Sequence, residues 1–489
     1  MDSGPGPARE HGTGRAGPPR TGGQPATVRW LARGLLRAYF RRIDRFHPER
    51  VPAAGPVLVV ANHPGSLTDA FLIGASVARP VNFVATVKLF QSKPVAWLLS
   101  RCGVIPINRR QDDPTKMAAV AETFGACFAV LEAGGAVGLF PEGISYDDSR
   151  LKEVKTGAAR IALGIETSHG GALGLSIVPV GLTYSAKERF RSRVLVNFGE
   201  PFGAARFLEE YGAEPRRGVR ALSQEIERRI RALILDTPDL EHDRILAAVR
   251  RLYLERLRSA NLIVTEPMPD EAETLVLMQA IASALRHFEQ REPERLAAFV
   301  SDLDRYEHWM DRLGLSDRTV DALSRALRLW PRVLTGAVLA LVSPLALFGW
   351  VHHVVPSALV GWSLRRFTPA ENRKSQTPIT VMIAGALALI LCYTAYIGVA
   401  YAWLGTWPAV IYAGLLPISG LIALYYLRTL RQYGGRLRSA ALLLQRPVAR
   451  RTLVSLREEL IASMDAFRAD YAAAMPPGRL KPAPPEGRH

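Results

Sequence analysis

Between residues 51 and 202, short apolar, β-branched runs alternate with stretches of helical periodicity. The runs are PVLVVA, VNFVATV, GVIPI, AVGLF, SIVPVGLTY and RVLVNFG, with helical patterns such as DPTKMAAVAETFGACFAVLEAGG between them. Alternation of this kind predicts an α/β domain over residues 51–215 with a largely buried, partly parallel sheet. From 216 to 332 the pattern changes to amphipathic helices rich in Arg and Glu, a helical bridge.

Two further patterns flank this core. In VRWLARGLLRAYFRRIDRF, Leu31, Leu35, Tyr39 and Ile43 recur every four residues, while Arg29, Arg33, Arg37, Arg41 and Arg45 are offset by two. A two-residue offset is about 200° on a helix, so the two stripes lie on opposite faces. A basic amphipathic helix over 28–50 that lies in a membrane interface has this pattern; so does a core-packed helix with a solvated face. Toward the other end no charged residue occurs from Ser375 to Leu427. Residues 379–403 and 409–427 are each long enough to cross a hydrocarbon layer of roughly 30 Å as helices, joined by the turn LGTWP. An earlier apolar tract, Val333–Leu364, contains GWVHHVVP, which predicts a re-entrant or short helical hairpin turning near Gly349–Pro356. Arg365, Arg366, Arg373 and Lys374 follow that tract, and Arg428, Arg431, Arg436 and Arg438 follow the last span. The bias of Lys and Arg toward the cytoplasmic side places both loops there, with the α/β domain; a single crossing in 333–364 would place the first basic loop outside.

Composition sharpens the picture. The chain of 489 residues carries a formal charge of +17, which points to a polyanionic partner: anionic lipid, a phosphorylated substrate or nucleic acid. The arginines gather beside apolar segments rather than among exposed aromatics, which favours anionic membrane lipids over nucleic acid. Cys102, Cys127 and Cys392 are widely separated, and His352 and His353 lack helical i, i+4 spacing, so neither a disulfide framework nor a metal site is expected. His352 and His353 read as hairpin-turn residues. Residues 1–27 are rich in Gly, Pro and Arg, lack the apolar core of a secretory signal and read as a disordered tail. Residues 428–489 form a basic helical tail.

The chemistry-bearing residues follow strands. Asn62, His63 and Asp69 come after VLVVA, Arg109 and Arg110 after GVIPIN, and Phe140, Pro141, Glu142 and Gly143 close AVGLF, while VPVGLTY is itself a strand. Ligands of open α/β sheets gather at strand C-terminal ends, so these segments can share one cleft. Their order and wording resemble the PlsC-type glycerolipid acyltransferases. The resemblance implies an active site of a His-Asp box, an arginine-bearing segment, an FPEG box and a VPV-type strand. The common box has four residues between His and Asp; here PGSLT supplies five. A branch resembling the fungal glycerol-3-phosphate acyltransferases has that longer form, NHPxSxxD.

Within this resemblance His63 is the general base that deprotonates an attacking hydroxyl, and Asp69 holds its tautomer. Taken alone, the pair also reads as a helix cap beside an incidental histidine. Arg109 takes the family's phosphate-clamping position; Arg110 is a second clamp or a solvated turn residue. Glu142 is read as holding glycerol hydroxyls or orienting a cation, and Gly143 as letting the backbone approach a ligand. Lys155 is the residue of SRLKEVKTGAARIAL most apt to reach phosphate or the acyl carrier. No G-x-S-x-G elbow is present, so the nucleophile is the substrate hydroxyl. The expected activity is acyl transfer from acyl-CoA or acyl-carrier protein, without a cofactor, to glycerol 3-phosphate or its 1-acyl derivative. A membrane-anchored protein that keeps the fold without catalysis is the alternative.

Overall fold

The structure is a computed structural model that describes residues 25–107, 117–143, 150–259, 268–315, 317, 329–368 and 373–474. At its centre is an eight-stranded sheet in the order β1-β7-β6-β2-β5-β3-β4, with β8 (Phe202–Gly203) beside β6. Here β1 is Arg42–Phe46, β2 Val57–Ala61, β3 Asn82–Thr86, β4 Ile105–Ile107, β5 Ala136–Leu139, β6 Ser176–Tyr184 and β7 Arg193–Phe198. Strands β6, β2, β5, β3 and β4 run parallel, whereas β7 is antiparallel to β6 and parallel to β1. The loops that follow β2, β5 and β6 therefore leave one end of the sheet.

Strand β2 shows why the sheet is buried on both faces. Its Leu58 and Val60 join one core, with Cys127, Val130 and Leu131 of α4 (Met117–Glu132) and Ile161 and Ile165 of α5 (Gly157–Ser168). Val57, Val59 and Ala61 join the opposite core, with Leu36 and Tyr39 of α1 (Ala26–Tyr39) and Leu72 and Ile73 of α2 (Leu67–Ser76). This is the period-2 alternation of a strand between two helical layers. Each such side chain stabilises the fold by about 1.5–3 kcal/mol relative to exposure. Helix α7 (Pro215–Arg231) adds Leu222, Ile226 and Ile230 to the first core, so the α/β unit extends past the expected boundary at 215.

The front segment departs from the sequence reading. A helix through residue 50 was the expectation, yet α1 stops at Tyr39 and Arg42–Phe46 pairs with β7. The sheet's edge supplies a backbone ladder that outcompetes the helical periodicity of Ile43. Leu36 and Tyr39 are buried in the protein, and Arg29 and Arg33 donate to the Val77, Ala78 and Ala75 carbonyls near the end of α2. Trp30 and Leu31 remain exposed.

The helices α8 (Leu240–Ser259), α9 (Asp270–Arg291) and α10 (Pro293–Leu313) are not a separate bridge. They share one apolar core with Leu453, Leu456 and Leu460 of the C-terminal helix, Pro447–Ala474. The expected hairpin over 333–364 is also corrected: one helix, α11, runs unbroken for 39 residues from Leu329 to Phe367. Pro344 within it leaves the Ala340 carbonyl without its helical partner, and Ser343 Oγ donates to that carbonyl at 2.8 Å. His352 and His353 lie mid-helix rather than in a turn, and His353 Nε2 is 2.7 Å from the Tyr393 hydroxyl of α12 (Arg373–Leu404).

Helix α13 (Thr406–Gln445) follows α12 after Gly405, whose φ of 81° makes the turn. Leu334–Phe367, Gln376–Leu404 and Thr406–Arg431 are each long and apolar enough to cross a membrane. The N-terminal part of α12 packs against α1 and α2, with Met382 in their core, and Arg428 of α13 donates to the Phe190 carbonyl at 2.7 Å. Both ends of α11 lie near these attachments: Gly336 faces Tyr433 of α13, and Thr368 is 3.3 Å from Thr380 of α12. Gly349 of α11 meets the Ser419 carbonyl so closely that a Cβ would collide with it. Gly349→Val therefore should force α11 and α13 apart, and the melting temperature in micelles should fall by several degrees; an unchanged melting temperature would show that this approach is not tight.

Candidate active site

The His-Asp box begins where β2 ends. Asn62 fastens the strand end to β6, donating from Nδ2 to the Leu182 carbonyl at 3.0 Å and accepting the Leu182 N–H at 2.7 Å. After His63, the turn Pro64–Ser66 leads into α2, and Asp69 sits in that helix's first turn, where free N–H groups favour a carboxylate. Asp69 is fully buried. Its Oδ2 lies 2.9 Å from His63 Nδ1 and accepts the Gly65 N–H at 2.7 Å, while Tyr184, the last residue of β6, donates its hydroxyl to Oδ1. This arrangement puts the imidazole proton on Nδ1 and leaves Nε2 as the acceptor nitrogen.

The five-residue spacing is absorbed in that turn. Ser66 adopts φ 55°, a left-handed value that non-glycine residues rarely take. Gly65 is there for space: a Cβ would stand 2.5 Å from the Tyr184 hydroxyl and 2.6 Å from Asp69 Oδ1.

The FPEG box after β5 reaches the same place. The Phe140 ring stacks on the His63 imidazole with centroids 4.0 Å apart and planes 14° from parallel, and Phe83 of β3 stacks behind it. Pro141 accepts the Lys155 N–H at 2.9 Å. Gly143 has φ 75°, and the Lys155 side chain folds over it, so that a Cβ would lie 3.0 Å from Nζ. Glu142 differs from its sequence reading. Its Oε1 accepts the His63 N–H at 2.7 Å and Oε2 the Lys152 N–H at 3.0 Å, so both oxygens brace two loops of the protein. Burial pushes its carboxyl above the ordinary range, against the lowering effect of those two N–H groups.

With this geometry in view, the central domain can be compared with known proteins. The family model described as Acyltransferase matches residues 42–183. Residues 42–183 are an acyltransferase-family domain. Glycerol-3-phosphate O-acyltransferase 2 of Saccharomyces cerevisiae is 35% identical over 133 residues, 27% of this chain and 18% of that protein. Glycerol-3-phosphate O-acyltransferase 1 of the same yeast is 23% identical over 380 residues, 60% of this chain and 48% of that one. The 1-acyl-sn-glycerol-3-phosphate acyltransferase of Borreliella burgdorferi is 28% identical over 151 residues, 31% of this chain and 54% of that one. The chain thus spans between 18% and 54% of the length of these relatives.

The acyltransferase domain brings together His63, Asp69, Phe140, Pro141, Glu142, Gly143 and Lys155. Arg109 and Arg110, expected in the same site, lie outside the described residues. Two residues of the site carry no sequence signal of their own. Tyr184 reads as one more strand residue until the sheet sets β6 beside β2. Lys187, nearly buried in the loop after β6, donates from Nζ to the Pro64 carbonyl at 2.9 Å and so supports the His63 turn. Burial raises the thiols of Cys102 and Cys127, the latter to about 12, which keeps both protonated and poor nucleophiles.

Two predictions test the geometry of the acyltransferase domain. Tyr184→Phe keeps the ring but leaves Asp69 Oδ1 with one donor fewer, and turnover should fall about tenfold, the scale of one charge-assisted hydrogen bond; Gly65→Ala, which intrudes on both partners, should cost at least as much. Full turnover in both variants would mean that Asp69 needs no such support. Glu142 gives a pH signature. Because its folded pKa is raised, its contribution to stability is present below the unfolded value and is lost as pH rises through the folded one. The stability of Glu142→Gln relative to the parent should therefore improve as pH rises through that range, a trend readable from melting temperatures at stepped pH.

Proposed function

We propose that the protein is a membrane-bound acyltransferase that moves a fatty acyl group from an acyl thioester to a hydroxyl of glycerol 3-phosphate, or of its 1-acyl derivative, in glycerolipid synthesis. The observation that carries this reading is the His63–Asp69 pair, 2.9 Å apart, with the carboxylate buried and held by two further donors. His63 Nε2 takes the proton of the acceptor hydroxyl as its oxygen attacks the thioester carbonyl. Asp69 stabilises the imidazolium that forms. The tetrahedral intermediate then expels the thiolate, breaking the C–S bond, and His63 returns the proton to sulfur. No residue of the chain is acylated, and no cofactor takes part. The donor is acyl-CoA or acyl-carrier protein.

Arg109 and Arg110 supply the phosphate contacts in this reading, and Lys155, folded over Gly143, adds a cation at the FPEG box. Glycerol 3-phosphate is the preferred acceptor: the five-residue His-Asp spacing belongs to the longer box, and two of the relatives are named glycerol-3-phosphate O-acyltransferases. The three long apolar helices hold the domain at a bilayer, where an amphiphilic product leaves. The basic residues flanking these helices favour a cytoplasmic domain.

Purified protein assayed with each acceptor against both donors tests the activity. His63→Ala should cut turnover by at least about a hundredfold, with Asp69→Asn comparably severe. In the same assay Arg109→Ala should weaken acceptor use by about 1.5–3 kcal/mol and be partly recovered by Arg109→Lys. Activity of His63→Ala within a few fold of the parent would remove the mechanism.

Orientation is tested separately. In a background without native cysteines, Thr406→Cys, between α12 and α13, should react with an impermeant thiol reagent in intact cells. Val448→Cys, exposed on the C-terminal helix, should react only after the membrane is opened. The reverse pattern would place the acyltransferase domain outside.

A further inference from the structure

Where the acyltransferase domain meets the membrane helices, an apolar groove ends in arginines. The groove, of about 460 Å3, lies between α11 and α13 and is walled by Leu334, Val338, Leu421 and Tyr425, with buried Leu339 as its floor and Thr429 at one end. Its volume falls within the roughly 300–1,000 Å3 of small-molecule sites. Tyr425 belongs to both regions, since it lines the groove and its hydroxyl accepts a hydrogen bond from Arg191 Nη2 at 3.2 Å. Arg191 lies in the loop after β6 with φ 64°, a left-handed value that costs on the order of 1–3 kcal/mol in a non-glycine residue. Its N–H donates to the Tyr39 carbonyl at 2.7 Å and Nη1 to the Arg37 carbonyl at 3.2 Å, so the guanidinium is set where α1, the loop and α13 converge. Arg428, one turn along α13, donates to the Phe190 carbonyl beside it. Neither α11 nor α13 contains an acidic residue. The groove thus offers an apolar trough with two arginines beside Tyr425 at the domain's attachment, Glu188 of the same loop being the acidic residue that acts on neighbouring Tyr39.

We propose that this groove binds a single-chain phosphate lipid, 1-acylglycerol phosphate, with its acyl chain between α11 and α13 and its phosphate at Arg191 and Arg428. The ligand class rests on the acyl-transfer reading above, in which such a lipid is the product of one acylation and the acceptor of the next. An amphiphile of this kind matches the groove in both parts: the chain covers exposed apolar walls, and guanidinium groups pair with phosphate oxygens. Phosphate held at the junction also joins a loop that supports the His63 turn through Lys187 to a membrane helix.

The test is binding rather than turnover, so it stands apart from the catalytic reading. Full-length protein carrying His63→Ala, in phosphatidylcholine nanodiscs, is exposed to 1-acylglycerol phosphate with a photoreactive diazirine in its chain, and labelled peptides are mapped by mass spectrometry. Label should fall on residues 334–342 and 421–429 and be competed by unlabelled 1-acylglycerol phosphate at least fivefold better than by lysophosphatidylcholine. Arg191→Gln and Arg428→Gln, each tested alone and each checked for an unchanged melting profile, should abolish that preference, while Arg428→Lys should retain part of it. Equal competition by the two lipids would mean ordinary boundary lipid and overturn the proposal, as would label confined to other helices. An active enzyme with no such preference would refute the groove and leave acyl transfer standing; a clear preference in a protein without transferase activity would do the opposite.

Discussion

A buried carboxyl group must be matched by hydrogen-bond partners, and this constraint shapes the centre of the protein. Asp69 has no exposed surface and is surrounded by a histidine ring, a backbone N–H and a tyrosine hydroxyl. Leaving a buried polar group without a partner costs about 1–3 kcal/mol, so each of these contacts constrains its own segment. Gly65 has no side chain because one would occupy the tyrosine's place. Ser66 takes a left-handed backbone because the turn must deliver both Gly65 N–H and the start of α2. Asn62 then locks β2 to β6, the strand that brings Tyr184. Glu142 repeats the logic one strand away, its two oxygens accepting N–H groups of two different loops.

That cluster is also attached to the long apolar helices. The core beneath α2 includes Leu36 and Tyr39 of α1 and Met382 of α12, so the helix that carries Asp69 packs on a helix long enough to cross a bilayer. The Tyr39 hydroxyl donates to the Lys187 carbonyl at 3.0 Å, and Lys187 Nζ reaches back to the His63 turn. The long apolar helices and His63 are therefore linked through a few hydrogen bonds and one shared apolar core.

The long apolar helices show a further balance between backbone and side chain. Proline in a helix removes a donor and strands a carbonyl, and in hydrocarbon no water is present to satisfy it. Ser343 supplies the missing donor to Ala340, and His353 is bonded to both the Gly349 carbonyl and the Tyr393 hydroxyl. A tract that reads as a broken hairpin can in this way remain one helix.

Much of this was legible in the residues themselves. Alternating apolar runs predicted the α/β domain, the uncharged stretch from Ser375 to Leu427 predicted two of the long apolar helices, and the order of His63, Asp69 and the FPEG box predicted that these residues meet. These are local properties: periodicity, length and order along the chain. Partners distant in sequence were not legible, because nothing local distinguishes Tyr184 from any other strand residue until the sheet sets β6 beside β2. The same holds for Glu142, whose carboxylate reads as holding glycerol hydroxyls or orienting a cation and in three dimensions accepts two backbone N–H groups. The tertiary structure decided, too, that Ile43 lies in a strand, since an unpaired sheet edge offers hydrogen bonds that helical periodicity cannot anticipate.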